Sequence, residues 1–358
     1  VLVSIFPAIL YLGTVYLFVH IVALKNGMRG MPVSELPDWK QVLKEGWQFI
    51  LPLGVLIYLL VLNISPMRVG FWAIISVLAV AALRYAIWFF YVAPQNGEKA
   101  SHDRLKAALA NGVRITIAAL ELGAKNAVAV SMACAVAGII VGVVGLTGLG
   151  LKFSSMMIAF SGGNIVLALV LVLLASLILG MGLPVTASYI VLIVLVGPAL
   201  SNEFGIPLLI AHLVVFWYSQ DSNVTPPIAL AGFAGAAIAG ASPLETSMQA
   251  WKFAKGLYLI PAFMVFNPEI ITGGPLPLVL WTGFTAILSL AAFAAALEGF
   301  MFAKIDLVSR ILIVPATIGI FYPDLRAEIA GTVVILAILG LNWWKGRHSD
   351  GPAAKIAA

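Results

Sequence analysis

Two short polar stretches interrupt an otherwise apolar chain and carry most of its chemistry. One is GMGLPVTASYIVLI, which starts at Gly180; the other is SQDSNVTPPIALAG, residues 219–232. In the first, Gly180 and Gly182 let the backbone turn. Pro184 lacks an amide donor and disfavours helical geometry in the residue before it. This predicts one helix ending near Gly180 and another starting near Pro184, with Thr186 and Ser188 in its first turns. In the second stretch, Ser222–Thr225 is expected to be an unwound joint, and Pro226 and Pro227 to restart a helix in its first turn. Carbonyls freed at such breaks are cation ligands, and freed amides favour an anion. Asn223 and Thr225 add neutral oxygens suited to a small hard cation, with Ser222 beside them. Discontinuous helices of this kind are the pattern of secondary-transporter sites. A single proline kink is common in membrane helices without any ligand. Two breaks about forty residues apart, one of them rich in polar side chains, point to a binding site.

Other polar residues read less sharply. Asp221 is either an ion or proton ligand or an interfacial residue capping the joint. Arg84, inside an apolar run, snorkels or anchors a partner helix. Glu121 and Lys125 are spaced i,i+4 and pair on one helix face. His212 precedes Asp221 by nine residues, which does not place the two on one face, so a hydrogen-bonded packing role is expected for it. Trp217, Tyr218, Trp343 and Trp344 fit interfacial belts.

The elements that carry these residues must lie in a bilayer. The chain is 62% hydrophobic and 10% charged over 358 residues, far from the soluble norm of about a quarter charged. Its apolar runs approach the length of spanning helices and do not alternate like barrel strands. The fold class expected is therefore all-α, a polytopic membrane protein with broken helices and a re-entrant hairpin. The net charge of +5 comes from Lys and Arg in loops, which is a topology signal and no mark of nucleic-acid binding. Basic loops at 25–46 and 96–114 flank spans at 47–63 and 68–92, and they share a side that the positive-inside bias makes cytoplasmic. Counting back from Lys345, Arg347 and Lys355 through spans at 325–344, 303–321, 275–297 and 256–267 gives the same orientation, with a cytoplasmic C-terminus. Residues 113–240 are broken repeatedly by GVVGLTGLGLKFSS, SGGN, GMGLP, GPALSNEFGIP and SNVTPP, which suits re-entrant hairpins better than straight spans.

The ordered stretches ACAVAGIIVGVVGLTGLGLKFSS (133–155), SGGN, LILGMGLPVTASYIVL (177–192) and AHLVVFWYSQDSNVTPPIALAGFAGAAIAG (211–240) resemble the large membrane subunit of tripartite ATP-independent periplasmic (TRAP) transporters. The C-terminal spans after FNPEI resemble the fused-permease branch, which pairs with TAXI-class periplasmic binding proteins. The resemblance covers nearly the whole chain. It implies a sodium-driven, binding-protein-dependent importer of small organic anions such as C4-dicarboxylates, in the cytoplasmic (inner) membrane of a bacterium or archaeon. It also implies two inverted repeats moving as an elevator, with a small membrane subunit fused upstream and no cofactor beyond the coupling ion Na+. The positions that match are Gly180, Gly182, Pro184 and Thr186 in the hairpin and Asn223, Thr225, Pro226 and Pro227 in the joint, a sodium site with substrate close by.

Only one GMGLP/TPP pair is present, so the chain reads as a C-terminal fragment. The organisation expected is residues 1–24 as the last helix of a missing first repeat and 25–112 as basic loops with a two-span hairpin. Residues 113–268 are then the second transport repeat, and 269–358 the C-terminal spans with a cytoplasmic tail. A proton-coupled carrier using Asp221 or Glu121 is the alternative within the same class. An ion channel would want repeated polar rings. A membrane enzyme would want an organised nucleophile and base or metal ligands. Four scattered histidines and the single Cys134 supply neither, and no phosphate-binding Gly-Lys-Ser/Thr loop marks an ATP-driven pump.

Overall fold

A computed structural model describes residues 2–28, 32–62, 64–87, 102–180, 183, 185–226, 229–322 and 324–348 of the chain. Gly182, Pro184 and Pro227, three of the expected site residues, lie outside this set, as does the C-terminal tail from residue 349. Every regular element among the described residues is a helix. Among the described residues six helices are long and apolar enough to cross a membrane, or seven counting one bent pair as a single span. The fold is all-α and polytopic, as the composition requires. The chain divides into two compact units, residues 30–131 with 1–2, and residues 3–29 with 132–358.

In the first unit, α2 (Trp39–Val61) and α3 (Pro66–Ile87) pack against each other. Asp38 caps α2 by accepting from the Lys40 N–H at 3.1 Å. Arg84 of α3 donates to the Gln48 side chain of α2, so this cation anchors a partner helix. The long helix α4 (His102–Thr147) begins inside the segment expected to be a basic loop. Residues 102–112 are therefore a correction to that reading. DRLKAALA is made almost wholly of strong helix formers, and its polarity does not unwind it. Glu121 and Lys125 pair at 2.6 Å on the exposed face of α4 and contribute little there.

The second unit starts with α1 (Ile5–Lys25) and resumes with the end of α4. Gly148 adopts φ 65°, and the chain turns by 80° into α5 (Leu149–Ser161). The SGGN stretch then serves both neighbouring helices. Gly162 and Gly163 take the left-handed geometry that ends α5. Asn164 accepts from the N–H groups of Val166 and Leu167 at 2.9 and 3.2 Å, capping α6 (Ile165–Gly180). Next come α7 (Val185–Pro198), which runs into a π-helical turn at Ala199–Glu203, and α8 (Leu208–Gln220). Shorter helices follow, α9 (Leu230–Ala239), α10 (Pro243–Phe253), α11 (Gly256–Phe266) and α12 (Glu269–Thr272). Three helices close the chain, α13 (Leu276–Glu298), α14 (Leu307–Phe321) and α15 (Leu325–His348).

Two expected spans differ from what the backbone does. The span at 256–267 is an 11-residue helix, about 16 Å long at 1.5 Å per residue and too short to cross alone. The span expected from 303 begins at Leu307, because residues 300–305 form a tight turn. Buried Asn342 of α15 pins that turn. Its Oδ1 accepts from the Phe302 and Ala303 N–H groups at 3.0 and 3.2 Å, and its Nδ2 donates to the Ala303 carbonyl at 3.0 Å. Asp306 then caps α14, accepting from the Ser309 N–H and hydroxyl, which holds its carboxyl below the usual carboxylate range.

The core of this unit lies where α7, α8 and α11 meet, around Leu192, Val196, Ile210, Val214, Ile260 and Met264. Helix α1 packs on α13 and α11, and its Phe18 stacks on Phe253 of α10 with ring centroids 5.8 Å apart. The first helix is thus a structural part of the C-terminal unit. At the end of α13, the buried Glu298 holds two cations. Lys252 Nζ lies 2.6 Å from Oε1, an ion contact whose angle falls short of a hydrogen bond, and Lys25 Nζ lies 3.4 Å from Oε2. Removing one charge of a buried pair costs about 3–5 kcal/mol, and the half-exposed lysines reduce that to about 1–2 here. Glu298→Gln is expected to lower the thermal midpoint in detergent by a few degrees, read by fluorescence-detected size exclusion after heating.

Candidate functional site

The two interrupted stretches come together in the second unit. Helix α6 ends at Gly180 and α7 resumes at Val185, as the glycines and proline predict. Helix α8 ends at Gln220, and Asp221–Asn223 tighten into a 3₁₀ turn. Gly180 is pressed against this turn, and a Cβ on it would stand 2.6 Å from the Cβ of Ser222. No side chain fits between the hairpin end and the joint. Glycine at position 180 therefore serves a close backbone approach as well as a turn.

One expectation about the joint is corrected. Pro226 does not open the next helix, and the described residues are helical again only from Leu230, where α9 begins; Pro227 lies outside them. Pro226 precedes a proline and is pushed out of helical geometry. Ala229, with φ 37°, is the only described non-glycine residue in the left-handed region. Pro226 and Ala229 are therefore both non-helical, where a restart at the prolines would have made them helical. Strain at a residue of this type clusters at functional sites.

The polar groups of the joint divide by burial. Asp221 is fully buried. Its Oδ2 accepts from the Tyr258 hydroxyl at 2.9 Å, and the Trp251 indole donates to that hydroxyl at 2.6 Å. Lys255 Nζ lies 3.4 Å from the Trp251 ring centroid and 4.7 Å from that of Tyr258. Oδ1 of Asp221 has no partner. The Thr225 hydroxyl is buried beside the Asp221 carboxylate and the Tyr258 hydroxyl, yet it makes a well-formed hydrogen bond to neither. Ser222 donates weakly to the Ser219 carbonyl at 3.3 Å, and the half-buried Asn223 donates to the Gln220 side chain at 3.4 Å. Buried polar atoms in native proteins are almost always paired. Two orphaned oxygens in one break therefore need an explanation.

Asp221 is a buried carboxylate rather than a solvent-facing cap of the joint. Thr186 is exposed, whereas Ser188, one turn further, is fully buried with an unpaired hydroxyl. His212 bonds to the Tyr189 hydroxyl through Nδ1 at 2.7 Å, the packing role its position suggested. Among the described residues no three His, Cys, Asp or Glu cluster as a metal site would require. The oxygens offered at the break are one carboxylate with hydroxyls, an amide and carbonyls, the donor set of a small hard cation. Trp251, Lys255 and Tyr258 were not anticipated. Their i, i+4, i+7 spacing around the α10–α11 junction was the available signal.

A family model described as the DctM component of the tripartite ATP-independent periplasmic transporters matches residues 1–270. The chain belongs to that family. A DctM component is the large membrane permease of a TRAP transporter, which works with a periplasmic binding protein and a small membrane subunit. Both breaks of this DctM chain fall inside the match, and α13, α14 and α15 lie beyond it. No match is found among curated proteins or among solved structures.

Proposed function

We propose that this DctM component is the permease of a sodium-coupled importer of small organic anions, loaded by a TAXI-class binding protein. It works in the inner membrane with its C-terminus in the cytoplasm. The observation that carries the coupling ion is the pair of buried, unpartnered oxygens, Asp221 Oδ1 and Thr225 Oγ1, in an unwound joint sealed by Gly180. A sodium ion there satisfies both, with Asn223, Ser222 and the free carbonyls of the joint completing its shell. The α7 N-terminus, just past the first break, offers free amides to a substrate carboxylate. Transport by this reading needs a second, inverted repeat that supplies the other half of the site, with the small subunit fused upstream.

The test is uptake in proteoliposomes by the full-length permease with its binding protein, with and without a sodium gradient. Thr225→Ala and Asn223→Ala are each expected to weaken apparent sodium affinity about tenfold, the loss of one good ligand, and to leave the protein in the membrane. Unchanged sodium affinity in both variants would overturn the assignment. One observation favours a second reading. Asp221 is a buried carboxylate with one oxygen held by the Tyr258 hydroxyl and the other free, which can take up a proton as readily as a cation. Uptake that ignores sodium and follows a pH gradient is the result that selects proton coupling.

A further inference from the structure

A cavity of about 650 Å³ opens where the end of α13 meets the 299–306 turn and the end of α15. Lys25, Lys304, Arg310 and Lys345 line it, against the single carboxylate of Glu298. That carboxylate is already matched by Lys25 and Lys252. Two of the lining cations are also committed. Lys25 donates to the Glu298 carbonyl at 2.8 Å, and Arg310 donates to the Ala296 carbonyl at 2.6 Å, capping the negative end of the α13 dipole. Lys304 and Lys345 make no ion pair among the described residues, and both are exposed at the cavity. The nearby Asp306 accepts from Ser309, which leaves it charged, and it attracts Lys345, offsetting one cation. Against Glu298 and Asp306 stand Lys25, Lys252, Lys304, Arg310 and Lys345, so the cavity keeps a net positive charge.

Its frame is rigid. Asn342 fastens the turn to α15 through three hydrogen bonds. Gly346 lets α15 approach so closely that a Cβ there would stand 2.9 Å from the Phe302 carbonyl. Its depth is marked as well. Trp343 and Trp344 immediately precede Lys345 and are exposed, the arrangement of an interfacial aromatic belt. From the same level, α14 runs away with Leu307, Val308, Ile311 and Leu312 exposed on its surface. A cationic cavity at headgroup depth, with exposed apolar side chains on the adjoining helix, matches an amphiphile better than a soluble ion.

We propose that this cavity binds the phosphate of an anionic phospholipid, with Lys304 and Lys345 as the phosphate contacts and the acyl chains along α14. Basic pockets between membrane helices recognise such headgroups. The site is made of α1, the turn and the C-terminal helices, nearly all beyond the family match, and is independent of the sodium reading.

The test titrates the detergent-solubilised full-length permease with short-chain phosphatidylglycerol, phosphatidylcholine or inorganic phosphate, read by native mass spectrometry. Saturable phosphatidylglycerol binding is expected, well ahead of phosphatidylcholine. Lys304→Ala/Lys345→Ala should weaken it roughly 25-fold, about fivefold for each lysine. Lys304→Arg/Lys345→Arg should retain it, and Lys152→Ala, away from the cavity, should not change it. Equal affinity in the parent and the double alanine variant overturns the proposal, as does equal affinity for the two lipids. Inorganic phosphate binding as tightly as the lipid, with the same lysine dependence, overturns the lipid as the source. The arginine pair and the headgroup comparison in the parent protein decide the matter should the alanine pair fail to fold.

Discussion

Asp221→Asn in the full-length transporter is expected to reach the membrane at normal levels and to lose about a hundredfold in apparent sodium affinity. The substitution keeps the side-chain volume and an oxygen for the Tyr258 hydroxyl to donate to, so the fold has little reason to respond. It removes the one carboxylate at the joint. A unit charge about 4 Å from a cation contributes about 4 kcal/mol at an effective dielectric of 20. Desolvation of the buried carboxylate offsets part of that, and a remaining 2–3 kcal/mol is roughly two orders of magnitude in affinity. Uptake measured against sodium concentration reads the change directly. A normal sodium curve would remove Asp221 from the ion site. A lost response to a pH gradient with sodium dependence intact would hand it to the proton reading.

The second large effect concerns shape. Gly180→Ala places a methyl carbon 2.6 Å from the Ser222 Cβ, far inside van der Waals contact. Either the hairpin end or the joint must retreat, and overpacking of this kind costs about 1–3 kcal/mol. Uptake is expected to fall at least tenfold, because the displaced turn is the one that carries the proposed sodium ligands. Ser222→Gly removes the opposing Cβ. At saturating sodium, which makes up for the lost Ser222 hydroxyl, the double variant Gly180→Ala/Ser222→Gly is therefore expected to recover most of the uptake lost in Gly180→Ala, where two independent defects would compound. A double variant no better than Gly180→Ala alone would show that the contact does not govern transport. Membrane levels by immunoblot separate this outcome from loss of the protein.

The helical, membrane-spanning character of the chain was legible from composition, because only helices satisfy their own backbone in lipid over runs this apolar. The breaks were legible for the same reason. Gly162 and Gly163 end one helix, Asn164 caps the next, and Gly180 stops α6 where the glycines said it would. These are local effects of backbone freedom and missing donors, written in two or three adjacent residues. Helix boundaries at polar segments were harder to read. Residues 102–112 look like a loop by polarity and fold as a helix by propensity. The restart after the two prolines moved to Leu230 because the backbone at Pro226 and Ala229 cannot take the first helical turn.

By itself the sequence determined that this is a polytopic helical membrane protein of broken spans, with two polar breaks inside the stretch that the family model matches. Which polar atoms are buried and unpaired was decided only by the tertiary structure. Asp221 passed from a possible interfacial cap to a fully buried carboxylate because Tyr258 and Trp251, thirty or more residues away in sequence, close over it. The neutral Asn223 bonds within its own turn, and the exposed Thr186 gives way to the buried Ser188. The cationic cavity likewise joins Lys25 to Lys345 across almost the whole chain. Burial and long-range pairing depend on how helices pack in three dimensions, and no spacing within a single segment records that.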